Sequence, residues 1–133
     1  MRYPIAVVGA HLAGEVLHHQ LADRGAELVV ATTTAAAYRL YALPTTPPKP
    51  ALVRSGPTDA GGAAIEVEVW SLEAEAFAAF VDEIPPPLGI GRVVLADGRA
   101  VAGFICEPVA LTSPDVVEIT AFGGWRAYRA SLA

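Results

Sequence analysis

The alternation of apolar and charged residues is clearest from Ala64 to Trp70, AIEVEVW. Ile65, Val67 and Val69 share one face of this stretch, because successive side chains of a strand point to opposite faces. The other face carries glutamates and is predicted to face water. From Pro4 to Gly9 the apolar residues instead run together, which predicts a more deeply buried first strand.

Further short apolar stretches, bounded by turn-forming residues, are typical of strands. They are Glu27–Thr32, Tyr38–Leu43, Ala51–Arg54, Arg92–Ala96, Ala100–Cys106 and Val116–Thr120. Asp97 and Gly98 predict a type I′ turn that joins two of these strands in a hairpin. Leu88 to Gly91, LGIG, is predicted to be a second glycine turn.

Helical patterns are fewer. One is indicated from Glu15 to Arg24, where two leucines share a face. A second helix is predicted to begin after Ser71, as its N-cap, and to end before the prolines at 85–87. A third, short helix is expected over residues 125–132. About seven strands and two or three helices, with several strands adjacent, predict an α+β fold with a mostly antiparallel sheet or small barrel.

Composition limits the classes of function. The 133 residues suffice for one domain, spanning 1–133. A net charge of −5 and a pI near 5.0 argue against a nucleic acid or an anionic membrane as partner. No apolar run is long enough to cross a bilayer, and no signal-type segment is recognised. The single cysteine, Cys106, cannot form an internal disulfide, so a cytoplasmic protein is expected.

The stretch from Ile5 to Leu21 joins the first strand to the first predicted helix through a glycine turn. Such a turn brings ligand close to free backbone N–H groups. Its GAHLAG sequence lacks the spacing of a dinucleotide motif, and neither a P-loop nor a nucleophile elbow is recognised. His18 and His19 would point about 100° apart on a helix and so do not suit one metal ion. The sequence therefore predicts neither a metal nor a cofactor.

Six blocks of the chain, in the same order, resemble the C-terminal domain of allophanate hydrolase. The blocks are GAHLAGEVLHHQL, TAAAYRLYAL, PPKPALVR, EVEVWSL, IPPPLGIGRVVLADGRAVAGFICE and ITAFGGWRAYRASL. The resemblance extends from Ile5 to Leu132. It implies a γ-glutamylcyclotransferase-like fold, a small mixed barrel with helices packed against it, in agreement with the pattern of strands.

The resemblance also implies a function, the decarboxylation of N-carboxycarbamate, which an amidase domain forms from allophanate by removing ammonia. The serine and lysine centre of that amidase is not found in this sequence. Because the domain is also proposed to assist assembly, a non-catalytic subunit of a separate amidase is one alternative. A γ-glutamylcyclotransferase-like lyase that uses Asp82 or Glu83 is another. The implied partners are a small carboxylate substrate and an amidase subunit, and a homodimer is left open.

The residues of the glycine turn correspond to the family's ligand-binding loop. By resemblance, the backbone of Gly9, Ala10, His11 and Leu12 binds the substrate. The wider superfamily has a tyrosine before this glycine and a serine after it. In this sequence Val8 and Ala10 take their places, so only the glycine is kept.

His19 corresponds to the histidine of an Asn-His pair and is the implied catalytic proton donor. A surface or packing histidine is the alternative interpretation. His18 replaces the usual asparagine, and Gln20 is expected to hold a carboxylate. Candidate cations for the substrate are Arg39, Lys49 and Arg126.

Overall fold

The computed structural model describes residues 1–56 and 58–133. These residues form eight strands: β1 (Arg2–Val7), β2 (Glu27–Thr33), β3 (Tyr38–Leu43), β4 (Lys49–Arg54), β5 (Glu66–Glu73), β6 (Leu88–Val94), β7 (Ala100–Cys106) and β8 (Val117–Glu118). Their α-helices are α1 (His19–Ala22), α2 (Ala74–Asp82) and α3 (Trp125–Ser131), and two 3₁₀ segments span Pro108–Thr112 and Thr120–Phe122. The ends predicted for β3 and β7 are confirmed.

β1 lies in the middle of a five-stranded sheet with the order β2-β5-β1-β7-β6. It pairs antiparallel with β5 and parallel with β7, and the remaining pairs are antiparallel. Ile5, Ala6 and Val7 are at most 2% exposed, which confirms the prediction of a buried first strand. Because β1 is held on both sides, the residues that follow Val7 leave the sheet from its centre.

β3 lies between β4 and β8 in a second, three-stranded antiparallel sheet. The outer strands of the larger sheet approach each other at one end, where Ala96 N–H donates to Thr33 O and Ala35 N–H donates to Val94 O. This contact is an isolated bridge and not a ladder. The α+β class is therefore confirmed, but the described residues form two sheets instead of the small barrel that the resemblance implied, because β2 and β6 meet only at their ends.

The helix predicted over residues 15–24 is reduced to the four residues of α1. Leu17 N–H bonds to Ala10 O at 2.8 Å, and the His18 ring bonds to His11 O at 2.8 Å. An α-helix would instead pair Leu17 with the carbonyl four residues earlier. Gly14 also has a positive φ of 85°. Hydrogen bonds between residues seven positions apart thus hold residues 10–18 in a series of turns instead of a helix.

Ser71 is not a helix cap, as the sequence suggested, because β5 continues to Glu73. Ser71 pairs with Pro4 of β1 and with Glu27 of β2. Its hydroxyl oxygen also accepts a hydrogen bond from Arg2 Nε at 2.9 Å. Because the Ser71 hydroxyl is bonded to Arg2 and its backbone lies within β5, Ser71 cannot cap α2, which begins at Ala74.

The hairpin of β6 and β7 differs from its prediction at two points. Leu88 to Gly91, predicted as a turn, forms the first half of β6 and pairs with residues 103–106 of β7. At the hairpin turn, Gly98 has a φ of 90° but Asp97 does not have a positive φ. A type I′ turn needs positive φ at both central residues, so this turn is of a different type.

One hydrophobic core joins residues of both sheets with residues of α2 and α3. Tyr38, Phe80 and Trp125 are its most deeply buried aromatic members, each at most 2% exposed. The Tyr38 hydroxyl accepts the Val94 N–H at 2.8 Å, which ties β3 to β6. No helix within residues 1–56 or 58–133 has the length and apolar character needed to cross a membrane.

Candidate ligand-binding cleft

The loop after β1 lies directly against the start of β4. A Cβ atom at Gly9 would come within 2.1 Å of Pro50 Cγ, so only glycine permits this approach. The Gly9 carbonyl accepts the Leu12 N–H at 2.9 Å, which turns the chain back on itself. The contact between Gly9 and Pro50 brings His11 of the loop close to Lys49 of β4.

Gly9→Ala is expected to lower the free energy of unfolding by about 1–3 kcal/mol, because overpacking against the rigid Pro50 ring forces the backbone to shift. Gly89→Ala is the matched control, since a Cβ atom at Gly89 in β6 would meet nothing within 4 Å. Urea unfolding of both variants measures the difference. A Gly9→Ala variant as stable as the wild type would contradict the close approach.

His11 is held between two phenylalanine rings. It stacks on Phe104, with centroids 5.0 Å apart, and meets Phe80 edge-on at 5.2 Å. Its Nε2–H donates to Gln20 Oε1 at 2.8 Å, which leaves Nδ1 to exchange a proton. Burial lowers the pKa of His11 below 6.5; the Gln20 hydrogen bond opposes this shift and the charge of Lys49 adds to it. The ring is therefore neutral at pH 7 until an anion favours its protonation.

A cleft of about 190 Å³ opens beside this imidazole ring. Its polar lining residues are His11, Gln20, Lys49 and Glu83, and its apolar wall includes Phe80, Leu88 and Phe104. A smaller cavity of about 10 Å³ adjoins it and is lined by Gly9 and Ala10 together with His11 and Lys49. The structure thus brings together five of the predicted site residues, Gly9, Ala10, His11, Gln20 and Lys49. The space suits a ligand of few heavy atoms.

Lys49 is the predicted cation that lines the cleft. Within residues 1–56 and 58–133, no carboxylate pairs with its ammonium group, so the charge is available to a ligand. Arg39 lies elsewhere, on β3, where it pairs with Asp59 at 2.6 Å and with Glu118 at 2.6 Å. Arg126 pairs with two glutamates of β5. The positions of the two arginines do not support substrate binding by either.

His19, the predicted proton donor, is the first residue of α1 and is exposed. It does not line the cleft, so its position gives the predicted role no support. Leu12 is fully buried in the core and supports the loop from within. His18 is also structural: its Nδ1–H donates to His11 O at 2.8 Å, and its ring packs on Trp70 at 4.8 Å. The substitution of histidine for asparagine at this position therefore anchors the loop that carries His11.

Glu68 holds the loop after β1 in place, a role that the sequence pattern did not predict. The alternation along β5 predicted a solvated carboxylate, yet Glu68 is only 6% exposed. It accepts hydrogen bonds from the Ala13 N–H at 2.8 Å, from Arg126 Nη2–H at 2.9 Å and from Trp70 Nε1–H at 3.1 Å. Burial raises the pKa of Glu68, but these three hydrogen bonds outweigh burial and lower it. Arg126 also donates to Ala13 O at 2.7 Å, so the pair clamps both polar groups of one loop residue.

Of the two acids predicted for a cyclotransferase, Glu83 lines the cleft and Asp82 does not. Asp82 is exposed at the end of α2. Glu83 lines the rim of the cleft, but its side chain is 58% exposed and pairs with Arg24. Arg24 is itself held by Gln20 O and lies over the Phe80 ring. A carboxylate turned to an arginine at the rim is poorly placed to act as a base inside the cleft.

The cleft combines a neutral imidazole, an unpaired ammonium group and an apolar wall. An ammonium group binds a carboxylate, and an imidazole can deliver a proton near neutral pH. No three His, Cys, Asp or Glu side chains of the described part of the chain lie close enough together to hold a metal ion. The structure is therefore a small α+β domain with a cleft whose polar lining has the chemistry to attract a small anion.

Comparison with known proteins identifies the family. The model of the family described as allophanate hydrolase C-terminal domain matches residues 3–130. The chain belongs to this family, as its six sequence blocks predicted.

Relatives of known sequence or structure are mostly much longer than this chain. Urea amidolyase of Saccharomyces cerevisiae is 46% identical over 126 residues, which are 93% of this chain and 7% of that protein. A solved structure of Kluyveromyces lactis allophanate hydrolase is 41% identical with a TM-score of 0.94, covering 100% of this chain and 22% of that one. The crystal structure of c4763, a uropathogenic E. coli-specific protein, is 32% identical with a TM-score of 0.85, and the match covers 98% of this chain and 97% of that one. The chain thus spans 7% of the length of the curated relatives it matches.

Proposed function

We propose that this domain decarboxylates N-carboxycarbamate in the cleft. The substrate is a small dianion in which one nitrogen carries two carboxylate groups. The observation that carries this proposal is that the unpaired Lys49 and the half-buried His11 line the same cleft. Membership of the family supports the substrate class, because its members include proteins named allophanate hydrolase and urea amidolyase. The proposal moves the proton donor from His19 to His11, which lies in the cleft.

Lys49 is proposed to hold the carboxylate that the substrate keeps, through a charge-assisted hydrogen bond. The departing carboxylate then lies towards Phe80, Phe104 and Leu88, which line the same cleft. An apolar wall disfavours a charged carboxylate and tolerates neutral carbon dioxide. The wall therefore favours the reaction that removes the charge.

In the chemical step the bond between nitrogen and the departing carbon breaks. Its electron pair stays on the nitrogen, carbon dioxide leaves, and His11 supplies one proton to the nitrogen, so the product is carbamate. The dianion beside His11 favours the protonated imidazolium before the step, which prepares the acid. Gln20 holds the ring through Nε2, so Nδ1 is the nitrogen from which the proton is delivered.

The test supplies N-carboxycarbamate by letting a separate amidase act on allophanate, and measures carbon dioxide release with and without this chain. Release is expected to exceed the spontaneous rate and to be inhibited by malonate, a stable dicarboxylate. Lys49→Gln should weaken malonate inhibition about tenfold, the effect of losing one hydrogen bond to a charged group. Arg99→Gln, which alters an exposed pair with Asp97, is the control. Release no faster than the spontaneous rate would contradict the activity, and unchanged malonate inhibition in Lys49→Gln would contradict the placement of the substrate.

An assembly role beside a separate amidase is the second candidate, and an apolar groove at α3 supports it. The groove has a volume of about 310 Å³ and is lined by Val16, Pro47, Trp125 and Leu132, among others. Val16 is 58% exposed and Leu132 is 67% exposed. Contiguous exposed apolar surface is typical of sites of protein contact. Stable co-elution with an amidase would support this role, and elution of the chain alone would count against it; the homodimer stays a prediction.

A further inference from the structure

Within the described residues, two thirds of the basic side chains of this acidic chain pair with carboxylates. Nine lysines and arginines stand against fourteen acidic residues. Six arginines form ion pairs with carboxylates: Arg2, Arg24, Arg39, Arg99, Arg126 and Arg129. Across residues 1–56 and 58–133, Lys49, Arg54 and Arg92 form none. Lys49 belongs to the cleft, so Arg54 and Arg92 are the two unpaired cations that remain to be explained.

Arg54 and Arg92 come from different strands and line the same groove. The groove has a volume of about 290 Å³, with a floor formed by Leu52, Val53, Ile105 and Cys106. The Arg54 guanidinium lies over the Tyr38 ring, 5.9 Å from its centroid, a contact that holds the guanidinium in place. Two arginines and four largely apolar residues thus line one groove.

The floor depends on a glycine in β6. A Cβ atom at Gly91 would come within 2.6 Å of Ile105 Cδ1, so the absence of a side chain lets Ile105 lie across β6. Gly91 directly precedes Arg92, and Ile105 follows Phe104 of the cleft wall. Of these two neighbouring residues of β7, Phe104 lines the cleft and Ile105 lines the groove.

The groove is separate from the cleft. Among the residues that the structure describes, none lines both of them. β4 carries Lys49 at its first residue and Arg54 at its last. At about 3.3 Å per residue, these two positions lie about 17 Å apart along the strand. A ligand of a few heavy atoms cannot reach both, so the groove needs its own explanation.

We propose that the groove formed by Arg54 and Arg92 binds an oxyanion carried on an apolar body. Guanidinium groups present forked donors that match carboxylate and phosphate oxygens. The partly exposed Val53 and Ile105 side chains offer apolar contact to the rest of such a ligand. A negatively charged protein repels free anions in general. In this groove, two arginines without a carboxylate partner among the described residues favour an anion locally.

Cys106 provides a local signal for occupancy of the groove. It is the chain's single cysteine, it is partly exposed, and it lines the groove floor. A bound ligand should therefore slow its alkylation by N-ethylmaleimide. The probes are phenyl phosphate, benzoate and inorganic phosphate, each compared with sodium chloride at equal ionic strength. Phenyl phosphate should protect at about a threefold lower concentration than inorganic phosphate, because its ring adds apolar contact.

The decisive comparison is between Arg54→Gln/Arg92→Gln and the control Arg99→Gln, with protection expressed as the ratio of rates within each variant. Saturable protection is expected in the wild type and the control, with an apparent affinity at least fivefold weaker in the double variant. Protection by phenyl phosphate alone would assign the ligand to phosphates, and protection by benzoate alone would assign it to carboxylates. No protection by either, or equal protection in the double variant, would overturn the proposal. Carbon dioxide release should be unchanged in the double variant, so the two sites can fail independently.

Discussion

His11→Asn is expected to lower the rate of carbon dioxide release about 100-fold or more, the usual contribution of a positioned general acid. Asparagine is polar and can still bond to Gln20, but it cannot deliver a proton at neutral pH. Malonate should still bind, because Lys49 remains in the cleft. The measurement is the rate of release at saturating substrate, with the unfolding free energy determined in parallel to confirm that the fold is intact.

His19→Asn is the matched control, since His19 is exposed and does not line the cleft. It should leave the rate within about twofold of the wild type, as surface substitutions usually do. If His19→Asn lost activity and His11→Asn kept it, the sequence correspondence would be right and the geometric assignment wrong. If both kept activity, neither histidine would be the acid.

His11 should also make the binding of malonate depend on pH. Burial lowers the pKa of His11 in the free protein, and a bound dianion would raise it, so binding takes up a proton. The affinity for malonate is therefore expected to rise as the pH falls from neutral and to level off below the pKa of His11 in the free protein, which is lower than 6.5. His11→Asn supplies the baseline, which includes the ionisation of malonate itself. Identical pH profiles in the two proteins would exclude proton uptake at His11.

The strands could be predicted because their signals are local. The alternation in YRLYAL gave both ends of β3, and the apolar run before Gly9 gave the buried strand at the centre of the larger sheet. Gly9 also marked the turn that follows this strand, and its role in binding a ligand stays a prediction. The physical reason for the glycine, however, is the ring of Pro50 41 residues later in the chain, which no local pattern contains.

The choice between the histidines depended on contacts that are distant in sequence. A helix that began at residue 15 would have fixed the direction of the His19 side chain by its periodicity. The hydrogen bonds from Leu17 to Ala10 and from His18 to His11 prevent that helix. Those bonds bring His11 to the rings of Phe80 and Phe104, far along the chain. A histidine beside a glycine turn was visible in the sequence, whereas its burial between two aromatic rings was not.

Glu68→Gln is expected to lower the free energy of unfolding by about 2–4 kcal/mol. Removing one partner of a buried ion pair costs about 3–5 kcal/mol, and the estimate is reduced because the Arg126 side chain is 35% exposed. The loss should also reduce malonate affinity, since Glu68 and Arg126 hold Ala13 in the loop that carries His11. Urea unfolding and malonate titration of the same samples measure the two effects.

Glu66→Gln is the control that separates burial from charge, because both glutamates pair with Arg126. Glu66 lies 3.3 Å from Arg126 Nη1 with its side chain 42% exposed, so its loss should cost about 0–1 kcal/mol.

The stabilities of the two variants should also respond differently to acid. Since the pKa of Glu68 is lowered in the folded protein, its contribution is present above pH 4.5 and is lost as the pH falls through the folded pKa. Glu68→Gln should therefore lose less stability than Glu66→Gln on acidification. Equal losses in the two variants, at neutral and at acid pH, would show that the clamp on Ala13 does not depend on the buried carboxylate.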